Sequence, residues 1–232
     1  MRNRSEIEVT LYLLRHGATP ANRESRYLGK TDEALSEEGK TELFMKKKEI
    51  PVEWLLVSPM LRCRQTAEIL FPGREQVQIP EWTEMDFGRF EGKNYMELNG
   101  DPDYQAWIDS GGTLPFPGGE SREEFIRRTN LGFAKVLSYL RAGNTGKNTV
   151  EQTRKIAETD TGYLMEDSME IRVAAVVHGG TIMALCSSFS EGAYFDFQVK
   201  NGEGYVCRFY LPAEQEDDLA FIRKNGMEIK KL

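Results

Sequence analysis

Residues 7–17 read IEVTLYLLRHG, a largely apolar run that leads directly into an arginine, a histidine and a glycine. Residues 171–180, IRVAAVVHGG, repeat this arrangement much later in the chain. A third apolar run, EWLLV at residues 53–57, leads into Ser58 and Pro59. Continuous apolar runs of this length are typical of strands that are buried on both faces of a parallel sheet. We therefore expect three central strands, each of which ends at polar residues.

Helical patterns alternate with these runs. One spans residues 36–50, and a second begins with Ser58 as the expected N-cap before Pro59 and ends near residue 71. A third begins with a capping box at residues 121–124 and carries an apolar stripe as far as residue 140, and a fourth is expected to be capped by Thr181. Alternating strands and helices predict an α/β fold, a three-layer α/β/α sandwich around a mostly parallel sheet.

The remaining segments have weaker patterns. Three runs late in the chain are typical of short strands in an antiparallel edge: 194–199, 205–211 and 219–223. Residues 101–119 are expected to form a lid-like loop with one short helix near residues 104–108. Residues 141–170 form a polar insertion in which 149–158 could be helical. A plain surface insertion is favoured there, and the alternatives are a subunit contact or a cover over part of the pocket.

The composition argues against several classes of protein. The chain has 232 residues with 30 basic and 37 acidic side chains, and its net charge of −7 argues against a nucleic-acid partner. No run approaches about 18 uncharged apolar residues, so we expect no membrane partner. The N-terminal residues become acidic at Glu6 before any apolar run, so we expect no signal peptide. Three widely spaced cysteines predict neither a disulfide framework nor a cysteine metal site. We expect one cytoplasmic domain over residues 1–232, and no motif indicates its oligomeric state.

The only two histidines of the chain, His16 and His178, both follow a predicted buried strand and both precede a glycine. In open α/β sheets, ligands bind beyond the carboxyl ends of the strands, so two imidazoles there can face one pocket. A glycine next to each histidine lets the backbone approach a ligand closely. The alternative is that each histidine merely completes a turn at the end of a strand.

Two arginines accompany these histidines. Arg15 directly precedes His16, and Arg62 lies near the start of the helix that follows residues 53–57. A guanidinium group and a helix N-terminus both suit phosphate oxygens, so this combination predicts a locally positive pocket for a small anion. Four other arginines are interpreted as solvated surface residues: Arg26, Arg64, Arg127 and Arg128.

A carboxyl group near this pocket would add a proton donor to the histidines and arginines. Residues 80–92, PEWTEMDFGRFEG, hold four acidic side chains among aromatic residues and glycines: Glu81, Glu84, Asp86 and Glu91. Such a partly buried loop can raise the pKa of a carboxyl group and make it a general acid. The composition alone leaves open which of the four would serve.

At this point the motifs resemble those of a known family. Residues 13–19, LLRHGAT, with Asn22 after them, are similar to the L-x-R-H-G-x-T…N signature of the histidine phosphatase superfamily, which has the phosphoglycerate mutase-like fold. The similarity continues in four further pieces: 58–67 (SPMLRCRQTA), 84–92, 117–121 (PGGES) and 177–180 (VHGG). Together they cover residues 8–140 and 171–190 in the order of the family.

The resemblance implies roles for residues that were already singled out. His16 would be the nucleophile that forms a phosphohistidine, and Glu84 the acid that protonates the departing alcohol. Three residues would bind the phosphate oxygens: Arg15, Arg62 and His178. Secondary contacts are implied for Asn22 and for the backbone near Gly29 and Gly179. The partner would be a small phosphate ester, and neither a metal nor a cofactor would be needed, because the arginines and imidazoles neutralise the charge.

The family contains phosphatases and mutases, and three functions stay open. Cofactor-dependent mutases have E-R-H-Y-G where residues 84–88 here read EMDFG, and their double arginine is missing from residues 101–119. These differences favour a metal-independent phosphomonoesterase, with the α-ribazole phosphatases as the most similar branch. The alternatives are a phosphoglycerate mutase-type isomerase and a non-catalytic phospho-ligand-binding protein.

Overall fold

The computed structural model describes residues 6–47, 49–144, 170–212 and 217–232. Within these ranges the chain forms six strands and seven α-helices. The strands are β1 (Glu6–Arg15), β2 (Trp54–Val57), β3 (Val77–Gln78), β4 (Glu170–Val177), β5 (Gly204–Pro212) and β6 (Glu228–Lys231). The helices are α1 (Pro20–Arg23), α2 (Glu37–Lys46), α3 (Leu61–Leu70), α4 (Pro102–Asp109), α5 (Arg122–Asn144), α6 (Gly179–Phe189) and α7 (Asp218–Asn225).

All six strands belong to one sheet, in the order β3-β2-β4-β1-β5-β6. Strands β3, β2, β4 and β1 are mutually parallel, whereas β5 and β6 pair antiparallel at one edge. The predicted mostly parallel sheet with an antiparallel edge is therefore confirmed. Arg15 at the end of β1 pairs with Val177 at the end of β4. This register places the next residues, His16 and His178, side by side at one edge of the sheet.

Helices cover both faces of this sheet. One apolar core joins alternate residues of the central strands to α5 and α6: Val9, Leu11, Leu13, Val173, Ala175, Phe133 and Ile182. A second core joins the intervening residues to α3: Leu14, Ala174, Val176, Cys63 and Ala67. Because successive residues of a strand face opposite sides of a sheet, the two cores lie on opposite faces. The predicted three-layer architecture is confirmed.

Two predicted strands late in the chain are wrong. Residues 194–199 contain a 3₁₀ helix at Tyr194–Phe197, and residues 219–223 lie inside α7, which is capped by the Asp217 carboxylate. Largely apolar runs of only five or six residues do not distinguish a strand from a helix, which is the physical reason for both errors. The third run, 205–211, is confirmed as part of β5, which pairs with β1.

Two predicted helix starts are displaced. Helix α3 begins at Leu61 with Met60 in the N-cap position, so Ser58 is not its cap. Helix α6 begins at Gly179 and has His178 as its N-cap, so Thr181 lies inside the first turn. Ser58 directly follows β2 and His178 directly follows β4. The side chains of both residues belong to the site described below.

The predictions for the lid-like loop and the insertion have different outcomes. The short helix near residues 104–108 is confirmed as α4, and the capping box that opens α5 is confirmed by bonds between Ser121 and Glu124. Residues 141–144 of the predicted insertion belong to α5. Residues 145–169, including the predicted helix at 149–158, lie outside the described residues.

The single domain over residues 1–232 stays a prediction. Over the ranges that the structure describes, no helix is long and apolar enough to cross a membrane.

Candidate active site

His16 and His178 lie next to each other where β1 and β4 end. Their ring centroids are 5.2 Å apart, with the rings edge to face. His16 is 3% exposed and His178 is fully buried. Burial lowers the pKa of both imidazoles well below the usual value for histidine, and the positive charge of Arg62 lowers both pKa values further. Both rings are therefore neutral at neutral pH.

The protonation pattern of His16 is fixed by its own turn. Its Nδ1 lies 2.7 Å from the carbonyl oxygen of Gly17. A carbonyl oxygen only accepts, so Nδ1 carries the proton and Nε2 carries the lone pair. The amide of Gly17 in turn donates to Oγ1 of Thr66 at 2.9 Å, which ties the turn to α3. His16 is therefore an uncharged imidazole with Nε2 available as a nucleophile.

His178 is held at one ring nitrogen and leaves the other facing an acid. Its Nε2 lies 2.8 Å from Oγ of Ser58, and its Nδ1 lies 4.0 Å from Oε2 of Glu84. The sulfur of Cys63 packs 3.6 Å from Nε2, and burial raises the pKa of this thiol, which stays neutral. Ser58, interpreted from the sequence as a helix cap, thus orients the second histidine.

Arg62 supplies a buried positive charge from the first turn of α3. Its side chain is completely buried, and its Nη1 and Nη2 donate to the carbonyl oxygens of Thr31 and Gly29 at 2.9 and 3.0 Å. Its Nε has no hydrogen-bond partner among the residues described. These contacts fix the guanidinium group close enough to lower the pKa of both imidazoles.

Arg15, the residue directly before His16, adds a second cation. Its Nη1 donates to the carbonyl oxygen of Val199 at 2.7 Å, and its Nε has no partner within the described ranges. A Cβ atom on Gly179 would lie 3.5 Å from the guanidinium carbon, so the start of α6 packs against this group. Buried donors without partners are rare in folded proteins, and here they suit the oxygens of an anionic ligand.

Glu84 is the acid that the fold brings to the histidines. Its side chain is 11% exposed, and Oε1 accepts from the amide of Met85 at 3.0 Å. Burial raises the pKa of this carboxyl group above its usual range, although the amides of Met85 and Gly180 and the two arginine charges act in the opposite direction. A carboxyl group that keeps its proton to higher pH than usual is suited to general acid catalysis.

The other three acids of residues 80–92 have structural partners. Glu81 pairs with Lys135 and Asp86 pairs with Lys30 on the surface of the molecule. Glu91 accepts from the amide of Gly29 at 2.9 Å and so orders the loop that Arg62 contacts. The geometry therefore singles out Glu84 where the composition left four candidates.

A cavity of about 440 Å³ lies beside the edge of the sheet at which the two histidines meet. Arg15, Glu84, Gly179 and Gly180 line it, together with Trp107, Gly112 and Phe116 from the predicted lid-like loop. No cluster of three histidine, cysteine or acidic side chains placed to hold a metal ion occurs in the part of the chain that the structure describes. The arrangement brings together two neutral imidazoles, two guanidinium groups and a buried carboxyl group, and Arg15 and Glu84 of this set face the cavity.

The family model of the histidine phosphatase superfamily (branch 1) matches residues 11–212. The chain belongs to the histidine phosphatase superfamily. This span includes every residue of the constellation: Arg15, His16, Arg62, Glu84 and His178. The family resemblance inferred from the motifs is confirmed.

Phosphatases and mutases both occur among the relatives of this superfamily member. The adenosylcobalamin/alpha-ribazole phosphatase of Salmonella typhimurium is 33% identical over 139 residues, which cover 56% of this chain and 68% of the relative. The 2,3-bisphosphoglycerate-dependent phosphoglycerate mutase of Bifidobacterium longum is 24% identical over 188 residues, with coverage of 75% and 74%. The crystal structure of the alpha-ribazole phosphatase from Shigella flexneri matches with a TM-score of 0.63 at 21% identity, over 85% of this chain and 89% of that one. This structural likeness confirms the predicted fold.

Asn22 lies near His16, and its side chain accepts a hydrogen bond from a neighbouring amide. Its Oδ1 accepts from Nδ2 of Asn201 at 3.1 Å, and the same Nδ2 lies 3.1 Å from the carbonyl oxygen of His16. Asn22 also forms a capping box with Thr19 at the start of α1. A direct substrate contact by Asn22 stays a prediction.

The two predicted backbone contacts differ in availability. The amide of Gly29 donates to Glu91 and its carbonyl oxygen accepts from Arg62, so both polar groups are used within the protein. Gly179 lines the cavity beside Arg15. Substrate binding at either glycine stays a prediction, and Gly179 has the more open position.

Arg128, interpreted from the sequence as a solvated surface residue, instead has a structural role next to Glu84. Arg128 donates to the carbonyl oxygens of Glu81 and Thr83 at 2.7 and 3.0 Å, and also bonds the Glu120 carboxylate at 2.8 Å. Its Nη2 lies 3.4 Å from the carbonyl oxygen of Glu84. The arginine thus holds the backbone that carries the acid. Its partners lie up to 47 positions away in the sequence, so no local pattern could have revealed this role.

Proposed function

We propose that this superfamily member is a metal-independent phosphomonoesterase that acts on a small phosphorylated metabolite through a phosphohistidine at His16. The observation that carries the proposal is the 2.7 Å contact between Nδ1 of His16 and the carbonyl oxygen of Gly17. It leaves a lone pair on Nε2 of an imidazole whose pKa is lowered by burial and by Arg62 and Arg15. Such a ring needs no base to become a nucleophile at neutral pH.

In the first step, Nε2 of His16 attacks phosphorus, and the bond from phosphorus to the alcohol oxygen breaks. The carboxyl group of Glu84 donates its proton to that oxygen, so the product leaves as a neutral alcohol. Arg15, Arg62 and His178 stabilise the charge on the three transferring oxygens. The unpartnered Nε donors of the two arginines support this assignment.

In the second step, water attacks the phosphohistidine and the bond from nitrogen to phosphorus breaks. The Glu84 carboxylate accepts a proton from the attacking water and returns to its starting state. Inorganic phosphate leaves and His16 recovers its neutral form.

Hydrolysis is favoured over mutase activity by the surroundings of Glu84. Met85 and Phe87, which stand where cofactor-dependent mutases have arginine and tyrosine, both line the cavity. The loop at residues 101–119 contains no arginine or lysine with which to bind a substrate carboxylate. Similarity to the Salmonella phosphatase adds support for the same choice.

The test is turnover of p-nitrophenyl phosphate and a panel of sugar phosphates in the presence of EDTA. We expect hydrolysis by the wild-type protein and a loss of at least about a thousandfold in His16→Ala. Phe44→Ala, at an exposed position on α2, is the control. Activity that survives in His16→Ala would exclude this nucleophile. Fast exchange between 2- and 3-phosphoglycerate would instead indicate a mutase, and phosphate binding without any turnover would indicate a non-catalytic protein.

A further inference from the structure

The cavity next to Glu84 is lined by an unusual number of aromatic side chains. Six of them, here called the aromatic chamber, come from four separate segments of the chain: Tyr27, Phe87, Trp107, Phe116, Tyr194 and Phe195. The mechanism proposed above uses none of these rings. The six rings lie beside Glu84, which protonates the alcohol oxygen in the proposed mechanism. They therefore surround the space that the rest of the departing alcohol would occupy.

The rings of the aromatic chamber support one another. Phe87 and Phe116 meet edge to face with centroids 5.0 Å apart, and Trp107 packs on Phe116 at 4.9 Å. Tyr27 contacts Phe87 at 5.1 Å. Contacts of this geometry restrict the rings, so the chamber is formed before a ligand arrives.

Two parts of the chamber meet at Gly112. A Cβ atom on this glycine would lie 3.2 Å from Cζ2 of Trp107 and 3.5 Å from Cζ of Phe195. Gly112 has a φ of +69°, a conformation that favours glycine. The loop at residues 101–119 therefore reaches the segment after α6, and together they enclose the chamber.

The six side chains of the aromatic chamber are themselves uncharged, and Arg122 is a charged neighbour. Burial raises the pKa of the Tyr27 and Tyr194 phenols, so both stay neutral. The guanidinium group of Arg122 lies over the Tyr194 ring, 5.6 Å from its centroid, and adds a flat face. The indole Nε1 of Trp107 is buried and has no hydrogen-bond partner among the described residues, which leaves one donor for a ligand. Flat ring faces with one N–H donor between them suit a planar group.

From this arrangement we infer that the substrate is a phosphomonoester whose alcohol carries an aromatic ring, and that this ring binds in the aromatic chamber while the phosphate lies between Arg15 and His16. The inference rests on the proposed function, because it assigns a leaving group to the same site. A ring placed there buries apolar surface on both partners and makes ring contacts. A small polar alcohol would leave the chamber unfilled.

The test compares 2-phenylethyl phosphate with ethyl phosphate, two primary alkyl esters that differ in the ring. We expect kcat/KM to be at least about tenfold higher for the phenylethyl ester. Trp107→Ala and Phe195→Ala should each reduce this ratio several-fold, and Phe195, which is 45% exposed, can be truncated with little risk to folding. Phe44→Ala, outside the cavity, should keep the wild-type ratio.

The outcomes separate this inference from the proposed function. Equal kcat/KM values for the two esters, with p-nitrophenyl phosphate still hydrolysed, would overturn the ring-binding role and leave the phosphatase proposal intact. A high ratio that neither Trp107→Ala nor Phe195→Ala reduces would place the ring elsewhere and also overturn the inference. Hydrolysis of a sugar phosphate but of none of these three esters would overturn this inference alone. Absence of hydrolysis on these esters and on the whole sugar-phosphate panel would refute the phosphatase proposal, and this inference with it.

Discussion

Oε2 of Glu84 lies 4.0 Å from Nδ1 of His178. Burial raises the pKa of the carboxyl group and lowers the pKa of the imidazole, so both shifts favour the uncharged form of each partner. The two side chains are therefore not a conventional ion pair. Instead, the carboxyl group holds its proton to a higher pH than an ordinary glutamate, next to the space where a leaving oxygen would need one.

Glu84→Gln is expected to lower kcat/KM far more on alkyl phosphates than on p-nitrophenyl phosphate. An alkoxide is a poor leaving group and needs the proton, whereas nitrophenolate needs little assistance. We expect a loss of about 10²–10⁴-fold on ethyl phosphate and about tenfold or less on the aryl ester. Equal losses on both esters would remove Glu84 from the role of general acid.

The same substitution tests the pKa of Glu84 through stability. The folded-state pKa is raised above the unfolded value, so the stability that Glu84 contributes is present below the unfolded pKa and is lost as the pH rises through the folded pKa. Glutamine does not ionise, so Glu84→Gln removes this loss of stability at high pH. It should raise Tm by about 2–4 °C at pH 8 and change it little near pH 3, where the carboxyl group is protonated in both states.

Glu81→Gln provides the opposite control for this measurement. The bond to Lys135 lowers the pKa of the Glu81 carboxyl group, so its stabilising effect is present above the unfolded pKa and is lost as the pH falls. This variant should therefore lower Tm at pH 8. Shifts of the same sign in both variants would contradict the assigned pKa directions.

Arg128→Lys is expected to impair the same step as Glu84→Gln. Lysine cannot replace the guanidinium fork that bonds the backbone around Glu84 and the Glu120 carboxylate. A displaced acid should lower kcat/KM on ethyl phosphate by about tenfold or more, with a smaller effect on p-nitrophenyl phosphate. The adjacent Arg127, which is exposed, offers Arg127→Lys as the matched control. A loss that is equal on both esters would indicate a general structural role instead.

The parts of this molecule that could be predicted from the sequence are those in which neighbours in the chain decide the outcome. The apolar runs that precede His16 and His178 predicted buried parallel strands, and the sheet register then brings the two histidines together. Arg15 and Arg62 could be found in the same way, because each is fixed relative to the end of a strand. The polar residues at the strand ends therefore predict which edge of the sheet carries the candidate site, whereas the choice of Glu84 depended on the family resemblance.

The remaining features depend on contacts between distant segments. Ser58 has the local pattern of a helix cap, yet its hydroxyl group bonds a histidine 120 positions away. Arg128 has the pattern of a surface residue, yet it holds a loop 44 positions away. The run at 219–223 is helical because α7 packs against β5 and buries Ile222 in the core. Only tertiary packing distinguishes these cases from the simpler interpretations.

Gly179 and Gly180, adjacent at the start of α6, are expected to respond differently to alanine. A Cβ atom on Gly180 would lie 2.5 Å from Oε1 of Glu84 and 3.2 Å from the ring of Phe125, so Gly180→Ala must displace the carboxyl group. A Cβ atom on Gly179 would meet its nearest neighbour, Arg15, at 3.5 Å, which is an ordinary contact.

Gly180→Ala should therefore lower kcat/KM on ethyl phosphate by about tenfold or more and spare p-nitrophenyl phosphate, as Glu84→Gln does. Gly179→Ala should keep the wild-type ratio of the two esters, with a Tm that is unchanged or slightly higher, because alanine is a better helix former than glycine. Kinetics on both esters and thermal unfolding of both variants check this. A Gly180→Ala variant with the wild-type ester ratio would mean that Glu84 does not act from the position it occupies beside α6.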